Sequence, residues 1–141
     1  MILEQLPTAP ITQKQKWLYK IILFIAWITI LSGLGQVLAA PFILNLVGAD
    51  QDKTSAHFFA IIGMFMFLFG GLLVQVLTSR RKDPTPVFWC ALQKLGAALA
   101  VGLGVYHAVF SAIVLGIAAF DLLSGVLLII YWRNLDHYNN W

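Results

Sequence analysis

Charged side chains are scarce in this sequence. Only 11% of its 141 residues are Asp, Glu, Lys or Arg, whereas a soluble domain averages about 25%. Hydrophobic residues make up 60% of the chain, and the mean hydropathy is +0.85. These values exclude an ordinary soluble domain and predict an integral membrane protein. The length leaves room for a single domain over residues 1–141.

Residues that carry chemistry are also few. Cys90 is the only cysteine, so an intramolecular disulfide and a thiolate metal cluster are excluded. The sequence contains no glycine-rich phosphate loop, no zinc-binding motif and no Ser/His/Asp arrangement. These absences favour a protein without catalytic activity of its own and without a metal site.

Four long apolar runs dominate the sequence. They cover about residues 17–40, 58–78, 87–106 and 112–132, where the uncharged part of the first begins at Ile21, and each is long enough to cross a bilayer as a helix. The pattern predicts an all-α fold, an integral membrane four-helix bundle.

The segments between the runs are short. A proline ends the first run, and the apolar residues 42–47 that follow predict a short interfacial helix within an outer loop of residues 41–57. Thr54 or Ser55 is a candidate cap for the second span. The inner loop, residues 79–86, carries two prolines that we expect to interrupt the helices.

Basic residues outside the spans lie almost entirely on one side. Only Lys53 lies in an outer segment, and the others precede the first span, separate the second from the third, or follow the fourth: Lys14, Lys16, Lys20, Arg80, Arg81, Lys82 and Arg133. Short loops rich in Lys and Arg stay cytoplasmic, so both termini are predicted inside, in a bacterial-type inner or plasma membrane. These residues flank spans and form no stripe, which favours anionic lipid headgroups as partners and excludes nucleic acid.

Two charges lie inside the apolar runs, Lys94 in the third and Asp121 in the fourth. Measured along each helix from the cytoplasmic side, Lys94 is about 10 Å deep and Asp121 about 16 Å deep. A lysine side chain spans the difference, so we expect an intramembrane pair. Gln93 and Gln75 are expected to supply supporting hydrogen bonds.

Three interpretations of this pair are open. It clamps the last two helices in register, or it works as a site that relays protons or holds a polar headgroup. In the third interpretation Lys94 does not meet Asp121 and extends toward the cytoplasm instead.

Small residues recur at intervals of four in the last two spans. Such spacing lets helix backbones approach closely in lipid, and we expect it to pack the bundle. The sets are Gly96 with Ala100 and Gly104, Ala98 with Gly102, and Ala112 with Gly116.

Two histidines lie near the outer face, His57 at the start of the second span and His107 at the end of the third. Histidines on neighbouring helices can bind a haem iron from opposite sides. Histidines near helix ends are more often interfacial polar residues, so no cofactor is predicted and haem stays an alternative. His137 lies in the cytoplasmic tail and cannot join them.

Several short motifs occur in a characteristic order over nearly the whole chain after Trp17. An apolar stretch from Pro41 to Gly48 and an acidic loop lead into His57-Phe58-Phe59, and later spans carry Gln93-Lys94-Leu95-Gly96 and Phe120-Asp121-Leu122-Leu123. This order resembles the DoxX-like group of small four-helix membrane proteins. The resemblance implies a four-helix bundle. Many members have an arginine near the position of His57, and this chain has none there. A few members are linked to quinone-reducing or thiosulfate-oxidising complexes as small membrane subunits.

Three functions are open to such a chain. We favour a non-enzymatic accessory or assembly subunit, with a membrane-protein partner or a second copy of the chain. The alternative is a binder or redox partner of a lipophilic molecule such as a quinone, through Lys94, Asp121 and Gln93. A proton-coupled transporter is the weakest, because the spans show no inverted repeat.

Overall fold

The computed structural model describes residues 13–80 and 83–139. Over these ranges the regular structure is entirely helical, which confirms the all-α fold. The helices are α1 (Gln13–Leu38), α2 (Ala40–Leu46), α3 (Lys53–Thr78), α4 (Pro84–Tyr106) and α5 (Leu115–Asn139), and a short 3₁₀ helix (Ala112–Val114) precedes the last.

Four of these helical segments are long and apolar enough to cross a membrane. No more than 33% of the most apolar part of each is buried inside the molecule. Large apolar side chains such as Phe24, Leu31 and Leu99 cover the outside and are at least 60% exposed. An exterior of this kind matches lipid rather than water, so the architecture is that of an integral membrane helical protein.

The start of α3 differs from the prediction. Asp52, rather than Thr54 or Ser55, is the N-cap, and its carboxylate accepts hydrogen bonds from the Thr54 and Ser55 backbone N–H groups at 2.8 and 3.1 Å. A carboxylate suits this position because the first N–H groups of a helix lack partners within the helix. The helix therefore begins at Lys53, inside the predicted outer loop.

The prolines of the predicted inner loop lie in the first turn of the next helix. Asp83 is the N-cap of α4, and its carboxylate accepts from the Thr85 N–H at 2.8 Å. Pro84 and Pro86 lie in the first turn, where a missing N–H has no helical acceptor to lose. The predicted loop, residues 79–86, is thus several residues too long.

The predicted short helix after the first span is present as α2. It begins one residue after Ala39, where the chain bends, and it buries Ala40 and Leu44. Just beyond its end, the Val47 carbonyl accepts a hydrogen bond of 2.9 Å from the Ser111 N–H in the connection between α4 and α5. This bond ties α2 to the far hairpin. We call the end of the molecule that carries α2 the outer end and the opposite end the inner end, after the predicted orientation.

The spans associate as two pairs, α1 with α3 and α4 with α5, and contacts between the pairs are much sparser. In each pair, a glycine allows the two helices to approach closely. A Cβ on Gly33 would lie 2.5 Å from the Gly63 carbonyl oxygen, and a Cβ on Gly125 would lie 2.6 Å from Leu95 Cδ2. Neither position has space for a larger side chain, so the backbones of each pair can approach closely.

The small residues singled out in the last two spans do not pack the bundle in the way predicted. A Cβ on Gly96, Gly102 or Gly116 would meet no atom within 4 Å. Gly104 is the exception, because the Phe110 ring of the following turn occupies the space beside it. An interval of four residues places small residues on one face of a helix, but it does not indicate whether that face packs inside.

The core shared by both pairs lies in the inner half of the molecule. All four spans contribute side chains to it from positions between their middle and their inner ends. Its buried members are Ile22, Ala26, Leu73, Val76, Leu77, Val87, Cys90, Ala91, Leu128 and Tyr131.

Candidate functional site

Lys94 and Asp121 meet at the outer limit of this core. Lys94 Nζ donates a hydrogen bond of 2.7 Å to Asp121 Oδ1, between α4 and α5. The two residues are only 3% and 4% exposed. The structure therefore places the two predicted charges in direct contact, and it does not support an extension of Lys94 toward the cytoplasm.

An aromatic ring and a thiol lie close to the pair. Lys94 Nζ is 5.4 Å from the centroid of the Phe120 ring, within the range of a cation–π attraction. Cys90 lies one helical turn before Lys94, and its Sγ donates to the Phe69 carbonyl oxygen at 3.7 Å. Besides Asp121, the Phe120 ring is thus a favourable neighbour of the ammonium.

Such a pair stabilises a structure only while both partners are present. Removing two charges from water is costly, and their attraction offsets that cost when their geometry is good. An ammonium has three N–H donors, and among the described residues only Asp121 accepts a hydrogen bond from Lys94. The arrangement suits a register clamp, and it leaves two N–H groups that can bind an acceptor.

The two supporting glutamines differ in position. Gln93 lines a cavity beside Lys94. The Gln75 side chain is exposed near the inner end of α3 and does not line this cavity. Neither donates or accepts a side-chain hydrogen bond with the pair within the described part of the chain. The supporting hydrogen bonds expected from the two glutamines are thus not formed among the described residues, and Gln75 occupies an exposed face of α3.

The cavity lies where all four spans converge. It is small, about 10 Å³, and its remaining lining residues are mostly apolar. That volume holds about one water molecule and is far below the 300–1,000 Å³ or so of sites for small organic molecules. The lining residues are Thr29, Phe69, Gly70, Leu73, Cys90, Gln93, Lys94 and Leu128.

The two outer histidines occupy exposed helix ends. His57 lies in the first turns of α3 beside the Phe58 ring, and His107 is the C-cap of α4 beside the Tyr106 ring. Both positions suit interfacial polar residues. His137 lies at a position where side chains are not described.

No protein-family model, curated protein or solved structure matches the chain. The likeness to the DoxX-like group stays a prediction.

A line of polar residues on α1 was missed from the sequence. Thr29, Ser32 and Gln36 recur at intervals of three and four, so they share one face of the helix. Thr29 Oγ1 donates to the Ile25 carbonyl oxygen at 2.9 Å, and Gln36 Nε2 donates to Met66 Sδ at 3.3 Å. Gln36 Oε1 is buried and has no donor within the described ranges. The spacing alone, inside an apolar run, is the signal that could have revealed this line.

Proposed function

We propose that the protein is a non-enzymatic accessory or assembly subunit that packs laterally against another membrane protein or a second copy of itself. One face of α4 carries this proposal. Gly96 and Ala100 are exposed there, one turn apart, and the flanking Leu92, Leu99 and Leu103 are also exposed.

This face has the composition of a helix–helix contact in lipid. Small residues four apart let a second helix approach closely, and leucines beside them fill the edges of the contact. No helix of the molecule itself packs closely against Gly96, because a Cβ added there would meet no atom within 4 Å. A glycine inside a helix costs about 1 kcal/mol relative to alanine, and contact with a partner would offset that cost.

The interior supports an accessory role better than a catalytic one. The connections between spans in the described ranges are short, and the cavity beside Lys94 has room for about one water molecule. Binding of a quinone at Lys94 and Asp121 would require this cavity to widen, so we rank that function second. The resemblance to the DoxX-like group, which includes a few small subunits of membrane complexes, agrees with the accessory role.

We propose the orientation predicted from the charges, with both termini cytoplasmic in a bacterial-type plasma membrane. Exposed basic side chains at the inner ends of the helices support it. They are Lys16, Lys20, Arg80 and Arg133.

The experiment is purification in a mild detergent of the tagged full chain and of Gly96→Leu. Gly71→Leu is the matched control, because a Cβ on Gly71 of α3 also meets no atom within 4 Å. We expect a stoichiometric partner, or a dimer, with the parent protein and with the control, and its loss with Gly96→Leu. A parent protein that is a solitary monomer in native lipid would refute the proposal, as would a partner that Gly96→Leu retains in full.

A further inference from the structure

The contact between α1 and α3 contains a polar side chain beside its glycines. Gln36 of α1 lies next to Gly63 of α3, because a Cβ on Gly63 would be 2.5 Å from Gln36 Cβ. One turn of α3 farther inward, Met66 Sδ accepts a hydrogen bond of 3.3 Å from Gln36 Nε2. Gln36 and Met66 are both partly buried. An amide and a thioether therefore form the polar contact across this helix pair.

The Gln36 amide is poorly paired in this contact. A thioether sulfur is only a weak acceptor, and Gln36 Oε1 is buried without a donor in the part of the chain that the structure describes. Polar groups within a bilayer depend on partners in the protein, because lipid chains offer none. The amide N–H group would therefore gain from a stronger acceptor at the position of the Met66 sulfur.

Oxidation supplies such an acceptor. When a thioether meets a hydroperoxide, a sulfur lone pair attacks the terminal peroxide oxygen, the O–O bond breaks and an S–O bond forms. The proton of that oxygen passes to the departing alkoxide, which leaves as an alcohol. The sulfur is oxidised by two electrons, and the hydroperoxide is reduced by two. The product is a methionine sulfoxide, whose side chain is polar.

The position of Met66 suits both the oxidant and the added oxygen. The side chain is only partly buried, and its neighbours Phe65 and Phe67 are 52% and 41% exposed, so a hydroperoxide in the bilayer can approach the sulfur. A methionine side chain has three rotatable bonds. A small withdrawal of the sulfur therefore makes room for the oxygen in front of Gln36 Nε2.

Met64 provides a contrast on the same helix. It is 43% exposed, and no group in the described ranges donates a hydrogen bond to its sulfur. An oxygen added to Met64 would therefore gain no hydrogen bond from the protein. The two methionines differ in this one respect while they share a helix and a similar depth.

We propose that Met66 is an oxidation site for lipid hydroperoxides, and that its sulfoxide oxygen accepts a hydrogen bond from the Gln36 amide. Oxidation of methionine usually disrupts an apolar contact because it makes the side chain polar. At Met66 the new oxygen replaces a weak acceptor opposite an existing donor, so oxidation strengthens the contact between α1 and α3. This site is independent of the accessory role and of the outward face of α4.

The test uses the full chain with Met64→Leu, which leaves Met66 as the only methionine after Met1. The protein is treated with cumene hydroperoxide in phosphatidylcholine vesicles, and mass spectrometry measures the sulfoxide at Met66. Denaturant unfolding in mild detergent then gives the ratio of folded to unfolded protein. We expect oxidation to raise this ratio about fivefold, the effect of about one net hydrogen bond, and to lower it when Gln36→Leu is added.

A second measurement needs no change at Gln36 and stays decisive if Gln36→Leu does not fold. The NMR signal of the Gln36 side-chain N–H should move downfield on oxidation, whereas that of Gln75, exposed on α3, should not move. A Gln36 signal that stays in place would overturn the proposal, as would equal effects of oxidation with and without Gln36→Leu. It would also fail if Met66 of the parent chain stayed reduced while Met64 was fully oxidised.

Discussion

Lys94 and Asp121 are the outermost buried residues of α4 and α5, and their side chains meet at 2.7 Å. Inward of this contact, side chains from all four spans form one core. Outward of it, no residue of α4 or α5 is buried. The ion pair therefore marks the outer limit of the buried residues of these two helices.

Removal of one partner of the ion pair should destabilise the fold strongly. Asp121→Leu leaves the Lys94 ammonium buried without a counter-charge, which typically costs about 3–5 kcal/mol. Thermal or denaturant unfolding of the detergent-solubilised protein measures the loss. The double variant Lys94→Met with Asp121→Leu should recover most of it, because no charge then stays unpaired. A double variant as unstable as the single one would show that Lys94 stabilises the fold through other contacts.

An alanine at Gly63 should destabilise the α1–α3 pair. Its Cβ would lie 2.5 Å from Gln36 Cβ and 2.7 Å from the Gly33 carbonyl oxygen, and overpacking of this kind costs about 1–3 kcal/mol. The control Gly71→Ala meets nothing within 4 Å and should stabilise α3 by up to about 1 kcal/mol. Unfolding curves of both variants give the comparison. Equal stability of the two would contradict the close approach of α1 and α3.

The orientation can be tested with single cysteines. In a Cys90→Ala background, His107→Cys lies at the outer end and Ser79→Cys at the inner end, both at exposed positions. A maleimide that does not cross membranes should label His107→Cys in intact cells and Ser79→Cys only after lysis. The reverse pattern would place both termini outside.

The N-terminal turn of α3 should weaken in acid. Hydrogen bonds from the Ser55 hydroxyl and backbone N–H and from the Thr54 N–H lower the pKa of Asp52 below its ordinary value of 3.8. A carboxyl whose pKa is lower in the folded state stabilises that state above its unfolded pKa, and the stabilisation disappears as the pH falls through the folded pKa. The turn should thus be fully stabilised above about pH 3.8 and lose that stabilisation in more acidic solution.

Hydrogen exchange of the Thr54 and Ser55 amides, corrected for the intrinsic pH dependence, measures this effect. Asp52→Asn keeps a capping side chain without a titrating group, so its protection should not change over the same range. A parent protein with equally constant protection would show that the carboxylate does not stabilise the turn.

Much of the fold follows from composition and periodicity. Four long apolar runs predicted four long helices, and the proline after the first run predicted the separate short helix α2. The boundaries were less accurate at Asp52 and Pro84, where capping side chains and first-turn prolines extend helices into segments taken as loops. Capping side chains and first-turn prolines act through single residues, so the pattern of apolar residues does not indicate them.

The site was predictable in part. Depth along two antiparallel helices was enough to bring Lys94 and Asp121 together, because a membrane span ties sequence position to height. To predict which face of a helix a residue occupies, one also needs the crossing angles of the helices, and depth does not supply them. Gln75 was therefore placed at the pair although its side chain is exposed, and Gly96 was placed inside although it faces outward. The polar line through Ser32 was detectable from spacing alone.

The pairing of consecutive spans has a consequence for biosynthesis. α1 and α3 precede α4 and α5 along the chain, so the first hairpin can complete its contacts before the second has been synthesised. Lys94 and Asp121 belong to the same hairpin, because their helices are joined by a short connection. The two opposite charges can therefore enter the bilayer together, as an ion pair. The association of the two hairpins then requires no unpaired charge to move through lipid.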